Sequence, residues 1–359
     1  LVGSTGTDTG TLLAASHLRV SAIESVIGSA GTDTVTMLFG SLLKVSAIES
    51  VVGSTGNDTV ALLAAGHVRI SGVEAVTGTT DTDTVTLLAA ASVKLSAIES
   101  VIGTTGTDTL VLLAADHVRV SGVESVVGST LTETITLLTA GHLRTSAVDS
   151  VIGSTGTDTL TLLAANSVAI SSVESVIGAT GADTVTLLAA TSLRVSAVDT
   201  VIGSTGTDTV TLLSAGSLRI SSVESVVGST GSDTIVGLGS TGANIEGRGG
   251  ADSLTGGSGG DHFIYSAITD STASVSDTIT NFQADGTDVL EFSGLESGTF
   301  DFIGASSVAF SNSGSSEARF YDTTKVLEVD VDGNGTTDMA LRLTGVSLAN
   351  LSESDFLWS

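Results

Sequence analysis

A 25-residue unit, "VIGSTGTDTVTLLSAGSLRISSVES" at residues 201–225, recurs nine times between Gly3 and Val227 without insertion or deletion. One such unit cannot bury its own apolar face, so it must fold by stacking on copies of itself. The columns of the repeat say how. "TDTVTLL" alternates with period two, placing Thr209 and Thr211 on one face of a strand and Val210 and Leu212 on the other. Leu218, Ile220, Val223 and Val226 form a second apolar set. Arg219 and Glu224 differ in parity, and the column between them, at Ser222, holds only Ala, Gly or Ser. A corner is expected there. Apolar spacing of two, with many β-branched residues, excludes helices. The Asn ladder of a leucine-rich horseshoe is missing. The expected fold is all-β: a β-solenoid of nine 25-residue turns, with two or three short strands per turn. At ~4.8 Å per turn it makes a rod roughly 40–45 Å long.

Composition narrows the partners. With 39 acidic residues against 12 basic, the formal net charge is −27. Nucleic acid and anionic membranes are disfavoured and divalent cations favoured. Absence of cysteine removes disulfides and thiolate metal sites, and absence of proline leaves every backbone N–H able to donate. No apolar run is long enough to span a bilayer, and no basic-then-apolar export signal opens the chain. Leu1 and Val2 match the close of a repeat, so the chain is expected to begin in mid-turn of a longer protein.

Three charged or polar columns stand out. Glu24, Glu49, Glu74, Glu99, Glu124, Asp149, Glu174, Asp199 and Glu224 form an acidic column. Stacked one strand apart, each neighbouring pair repels by on the order of 1 kcal/mol. Arg19, Lys44, Arg69, Lys94, Arg119, Arg144, Arg194 and Arg219 form a basic column expected to offset it, the two making solvated stripes. His17, His67, His117 and His142 occupy a column that is Leu or Ser elsewhere, too patchy for a metal column. No "HExxH", P-loop or Ser/His/Asp arrangement is present, and no enzyme activity is expected.

The column Asp8, Asp33, Asp58, Asp83, Asp108, Glu133, Asp158, Asp183 and Asp208, continued by Asp233, has no basic column beside it. Each acid sits in "GSTGTDTVT" or a variant, which resembles the RTX nonapeptide G-G-x-G-x-D-x-U-x. In that family glycine carbonyls and Asp carboxylates of successive turns enclose Ca²⁺, a cation suited to hard oxygen ligands. Ser or Thr replaces the second Gly in most repeats, and repeat six reads "GSTLTETIT", with Leu131 and Glu133. The alternative is that each Asp caps its own turn through backbone N–H groups. The resemblance sharpens at "GRGGADSLTGGSGGDHFIY", with a near match at Gly247, Gly249 and Asp252 and a full match at Gly256, Gly257, Gly259 and Asp261.

"SDTITNFQADGTDVLEFSGL", "LEVDVDGNGTTDMALRLTGV" and the terminal "DFLW" resemble the C-terminal region of serralysin-type secreted proteins. The resemblance implies a cap on the β-roll and an uncleaved type I secretion signal; the protease half is absent. The domains are then 1–227, the repeat solenoid; 228–265, RTX-like β-roll turns; and 266–359, a β-rich C-terminal cap. Within the second motif Asp330, Asp332 and Asn334 match the start of an EF-hand loop, though position twelve is Leu341, and a tight hairpin explains the stretch equally.

The leading functional expectation is a non-catalytic, secreted structural protein: a calcium-stabilised rod in a surface layer, filament or adhesin. Its partners would be the type I secretion machinery, other copies head to tail or in a lattice through an uncovered N-terminal turn, and cell-surface polysaccharide. A second is ice binding by the Thr column of Thr9, Thr34, Thr59, Thr84, Thr109, Thr134, Thr159, Thr184 and Thr209, spaced ~4.8 Å between turns. A third is the accessory C-terminal half of a secreted enzyme.

Overall fold

Each repeat makes three strands, but a turn uses only two. In the computed structural model, which describes residues 1–284, 286–305 and 307–358, repeat two contributes strands Thr34–Met37, Leu42–Ser46 and Ser50–Val52. Ser359, after the terminal "DFLW", lies outside the described residues. Thr34 pairs in parallel with Ser50, and the next strand on that sheet is His67–Ser71, whose His67 pairs with Thr84. Those fifty residues make three turns, so a turn takes about 17 residues and not the expected 25. The reason lies at the Ser222-type corner. It is short and tight, and it reverses the chain far enough that the segments flanking it lie on opposite sheets.

A consequence is that successive repeats exchange sheets. In the compact unit Leu1–Val173, one sheet runs through His17–Val20, Thr34–Met37, Ser50–Val52, His67–Ser71, Thr84–Leu87 and Ser100–Ile102. The opposite sheet runs through Thr9–Thr11, Ser25–Ile27, Leu42–Ser46, Thr59–Leu62 and Ala75–Thr77. Every third strand of a sheet is of one type. Residues of one column on one sheet are therefore three turns apart, ~14 Å, and not one.

The corner is a left-handed residue in all nine repeats: Ala22, Ala47, Gly72, Ala97, Gly122, Ala147, Ser172, Ala197 and Ser222 have φ between 51° and 62°. This conformation crowds Cβ, which is why only the smallest residues occupy the column. The corner carbonyl then packs onto the Gly that opens the loop one turn earlier. A Cβ on Gly28 would lie 1.6 Å from the Ala47 oxygen, and one on Gly103 1.8 Å from that of Gly122. Repeat two buries Val35, Met37, Leu43, Val45, Ile48 and Val51, each contributing about 1.5–3 kcal/mol of hydrophobic stabilisation.

The unit Glu174–Ser359 begins with the same strands. On one sheet, Ser253–Thr255 pairs with Asp277–Thr280, which pairs with Met339–Thr344. Val326–Asp330 and Glu317–Tyr321 then add antiparallel. On the other, His262–Tyr265 is followed by Val289–Phe292 and by Phe356–Trp358. The core turns aromatic here. Phe292 stacks on Trp358 with ring centroids 4.6 Å apart, and Phe300 stacks on Trp358 at 4.7 Å.

Candidate metal centre

The Asp column of the repeats is buried and bonded to the chain itself. At Asp83, Oδ2 accepts from Thr79 N (2.6 Å) and Thr79 Oγ1 (2.9 Å), and Oδ1 from Gly66 N (2.8 Å). The same three-bond pattern surrounds Asp33, Asp58, Asp108, Asp158, Asp208 and Asp233. Asp183 takes the Ala179 N–H, a loop position that carries no hydroxyl, and the partly exposed Asp8 takes Ser4 N and Oγ. The Ser or Thr that replaces the second RTX glycine thus supplies the capping hydroxyl. The amides of Asp8, Asp33, Asp58, Asp83, Asp108, Asp183 and Asp208 in turn donate to the acidic column, Asp83 N to Glu99 at 2.7 Å and Asp108 N to Glu124 at 2.7 Å. One Asp therefore joins three successive turns.

This arrangement corrects the charge stripes. The Glu column is half-buried at most positions and occupied with backbone amides, while its members on one sheet are three turns apart, so repulsion at one-strand spacing does not arise. The basic column is exposed, and among the described residues Arg19, Lys44, Arg69, Lys94, Arg119 and Arg144 form no ion pair with it. The four repeat histidines are exposed and hold a Thr hydroxyl of the next turn, His67 Nε2 lying 2.8 Å from Thr86 Oγ1. His17, His67 and His117 fall on one sheet at every third strand, so the column that is patchy in sequence is regular in space. The same exchange of sheets breaks the Thr array. Thr9, Thr59, Thr109 and Thr159 lie on one sheet of the first unit and Thr34, Thr84 and Thr134 on the other. On the second of these sheets Thr34 is flanked by His17 and Ser50, and Thr86 by Arg69 and Ile102. Thr184 and Thr209 belong to the second unit, where Thr184 pairs with Thr200 and Thr209 lies between Ser192 and Ser225.

Beyond Asp233 the loops lose the capping hydroxyl, and carboxylates are left short of donors. Asp252 Oδ1 accepts from Asp233 N (2.8 Å) and Asp252 N donates to Asp277 Oδ1 (2.8 Å). Oδ2 of Asp252 is buried with no hydrogen-bond partner, while Oδ2 of Asp277, buried with none at full hydrogen-bond geometry, has the Tyr265 hydroxyl facing its carboxylate. Burial, with repulsion from Asp233 and Asp270, raises Asp252 to about 7. Burial, with repulsion from Asp252 and Asp270, raises Asp277 to about 7. Burial and the Asp277 charge push the Tyr265 phenol well above its ordinary value. Asp261 is better served, taking Ala243 N (2.8 Å) and Gly257 N (2.7 Å) and donating its amide to Asp288, and burial still raises it. Gly247, Gly249, Gly256 and Gly259 line these loops; a Cβ on Gly247 or Gly256 would meet the Asp252 or Asp261 carboxylate at 2.4 or 2.6 Å. Asp270, Asp277 and Asp288 were not among the sequence candidates. Asp277 was findable, because "SDTIT" repeats the Asp-Thr-apolar-Thr order of "TDTVT".

"DVDGNGTTD" forms both a hairpin and an acid cluster. Val326–Asp330 and Met339–Thr344 are antiparallel, and between them ligand oxygens of Asp330, Asp332 and Asp338 lie within 4.8 Å of one another. Asp338, the ninth position of the loop, is the ligand candidate that the sequence reading passed over. Asn334 serves the loop itself, its N–H reaching Asp330 and Asp332 and its side-chain amide donating to Asp332 Oδ2 at 2.9 Å. Burial, with the Asp338 charge, raises Asp330.

Residues 215–358 match the family model described as Peptidase M10 serralysin C terminal. The resemblance carried by the C-terminal motifs therefore holds over about two fifths of the chain, and what is matched is the non-catalytic part of that family. No curated protein matches the chain. No helix among the described residues is long and apolar enough to cross a membrane.

Proposed function

We propose that this is a secreted, calcium-dependent structural protein, in which stacked repeats supply a regular scaffold and the serralysin-type region binds the calcium that folds it. The observation that carries this reading is the buried, partnerless Oδ2 of Asp252, beside an Asp277 carboxylate that is also buried and is met by the Tyr265 hydroxyl alone among side chains. A buried carboxylate short of donors costs several kcal/mol, and a divalent cation removes that cost while a hydroxyl cap is lacking. Oxygen-only donors of high charge suit Ca²⁺. Asp252 and Asp277, with Asp330, Asp332 and Asp338 in the hairpin, would hold it. The repeat Asp column, already supplied with donors, serves as structure. Without calcium the acidic C-terminal loops repel, so the chain stays open for type I export and closes outside, where the cation is abundant. A surface layer, filament or adhesin is the role such a scaffold fits. Circular dichroism and thermal unfolding of the full chain in chelator and in millimolar calcium test this. A large calcium-induced gain in β signal and midpoint is expected; identical curves would end the proposal.

A further inference from the structure

The exchange of sheets sorts the basic column onto two faces of unlike chemistry. In the unit Leu1–Val173, nine consecutive strands of one sheet, from His17–Val20 to Ser150–Ile152, contain no Asp or Glu. Their outward positions are Thr, Ser, Val and Ile, interrupted at every third strand by His17 and Arg19, His67 and Arg69, and His117 and Arg119. All six of these side chains are exposed, and none of the three guanidinium groups forms an ion pair. The register places His17 in one row with Thr34, Ser50 and Arg69, and His67 in one row with Thr84, Ser100 and Arg119. Imidazole and guanidinium in a row thus stand three strands, ~14 Å, apart. Each imidazole is held by a Thr hydroxyl of the next strand, at 2.8 Å from Thr36, Thr86 and Thr136. The opposite sheet carries Leu42 and Lys44, Ser92 and Lys94, and His142 and Arg144 at the same positions.

We propose that the face bearing Arg19, Arg69 and Arg119 is a docking surface for a linear acidic polysaccharide, whose carboxylate or sulfate groups meet the guanidiniums in turn. The charge pattern carries the argument. A chain with 39 acidic residues against 12 basic keeps one whole sheet face clear of acid and sets unpaired guanidiniums on it. Arg offers a planar, bidentate fork to an oxyanion, which the Lys residues of the opposite face do not. The Thr and Ser hydroxyls between the Arg strands both donate and accept, as sugar hydroxyls require. The acidic column does not oppose this. Glu24, Glu74 and Glu124 stand at the corners, outside the strands, and accept the Asp8, Asp58 and Asp108 amides. Charges farther away are screened beyond ~8 Å at physiological ionic strength. Spacing selects among polyanions. Duplex DNA carries one charge per ~1.7 Å, which one guanidinium per ~14 Å does not neutralise, and a net charge of −27 then repels it. A polysaccharide is sparser in charge and richer in hydroxyls. The proposal rests on the scaffold reading in one respect, that the chain works outside the cell, where acidic polysaccharide is met.

Binding of the full chain to immobilised hyaluronan, dextran sulfate, neutral dextran, duplex DNA and phosphatidylserine vesicles, measured by biolayer interferometry in physiological salt and millimolar calcium, tests this. Retention on hyaluronan identifies carboxylate as the group read, and retention on dextran sulfate identifies sulfate. Arg19→Ala/Arg69→Ala/Arg119→Ala should weaken that binding roughly 10- to 100-fold. The column already holds Ala169, so the fold accepts the change. Arg19→Lys/Arg69→Lys/Arg119→Lys keeps the charge and loses the fork, and should fall between the two. Lys44→Ala/Lys94→Ala/Arg144→Ala removes the same charge from the opposite face and should leave binding within about twofold. Four results overturn the proposal: no retention on either acidic polymer, equal retention on neutral dextran, tighter binding to DNA or vesicles, or equal losses in the two Ala variants. Circular dichroism of the same samples with and without calcium reads the scaffold proposal separately, so failure of one is not mistaken for failure of the other.

Discussion

Whether the repeat Asp column is structural or a row of calcium ligands can be decided at Asp108. Its carboxylate accepts Thr104 N at 2.7 Å, Thr104 Oγ1 at 2.8 Å and Ala91 N at 2.9 Å, and it is fully buried. Two of those donors are backbone amides, which cannot reverse. In Asp108→Asn one carboxylate oxygen becomes an NH₂, so either Ala91 N–H or Thr104 N–H faces a donor and loses its acceptor. An unsatisfied buried amide costs about 1–3 kcal/mol, and the surviving bonds lose the strength of a charged acceptor, roughly 1 kcal/mol more. The sum is about 2–4 kcal/mol. In a solenoid, stability is local to a turn and its neighbours, so hydrogen exchange reports it better than a global midpoint. The Ala91 and Thr104 amides should exchange roughly 30- to 1000-fold faster in the variant, converting at 1.36 kcal/mol per decade. The increase should be the same in chelator and in calcium. Acceleration seen only in calcium would make Asp108 a ligand, and no acceleration in either would remove the cap from the account of the fold.

The second unit should respond to pH with opposite signs depending on calcium. Asp252 and Asp277 are raised to about 7, so in chelator the stability they contribute is full below the unfolded value near 4 and is lost as pH rises through 7. Calcium needs the ionised forms, so its stabilisation should grow over that same rise; a chelated protein that melts higher at pH 8 than at pH 5 would refute this. Gly103→Ala places a methyl 1.8 Å from the Gly122 oxygen and should cost about 3 kcal/mol or more by thermal unfolding. Gly141→Ala, with open space around it, should be close to neutral, and equal effects at both sites would discredit the close-approach argument. Purified protein should show no thermal hysteresis, since Arg and Ser strands interrupt the Thr strands.

Much of this architecture was legible in single columns. Period two placed the strands, the Ala/Gly/Ser column marked the left-handed corner, and the tandem nonapeptides marked loops where Asp252 and Asp261 lie buried. Turn length was not legible, because repeat length and turn length are independent once a repeat carries an odd number of strands. Nothing in "SSVES" states how far the corner after Ser221 swings the chain. The caps were half-visible: Ser204 precedes Asp208 by four residues, but the donor from Thr191 comes from the turn below and needs the 17-residue register to be seen. Asp338 lay in plain view in "DGNGTTD", but comparison with position twelve of an EF-hand drew attention to Leu341 and away from position nine.

Three strands per repeat on a two-strand circuit gives the chain a parity. Odd-numbered repeats place their "HxR" strand on one face of the first unit, His17–Arg19, His67–Arg69 and His117–Arg119, while even-numbered repeats place Leu42–Lys44, Ser92–Lys94 and His142–Arg144 on the other. In any one column each face therefore samples alternate repeats, and that column can drift on one face without altering its opposite. The smallest duplication or deletion that leaves both faces as they were is two repeats, 50 residues. Excising a single 25-residue repeat would preserve every strand, corner and cap, yet transfer the side chains of all later repeats to the reverse face. A length change of that kind is silent to the fold and audible to anything that reads one surface.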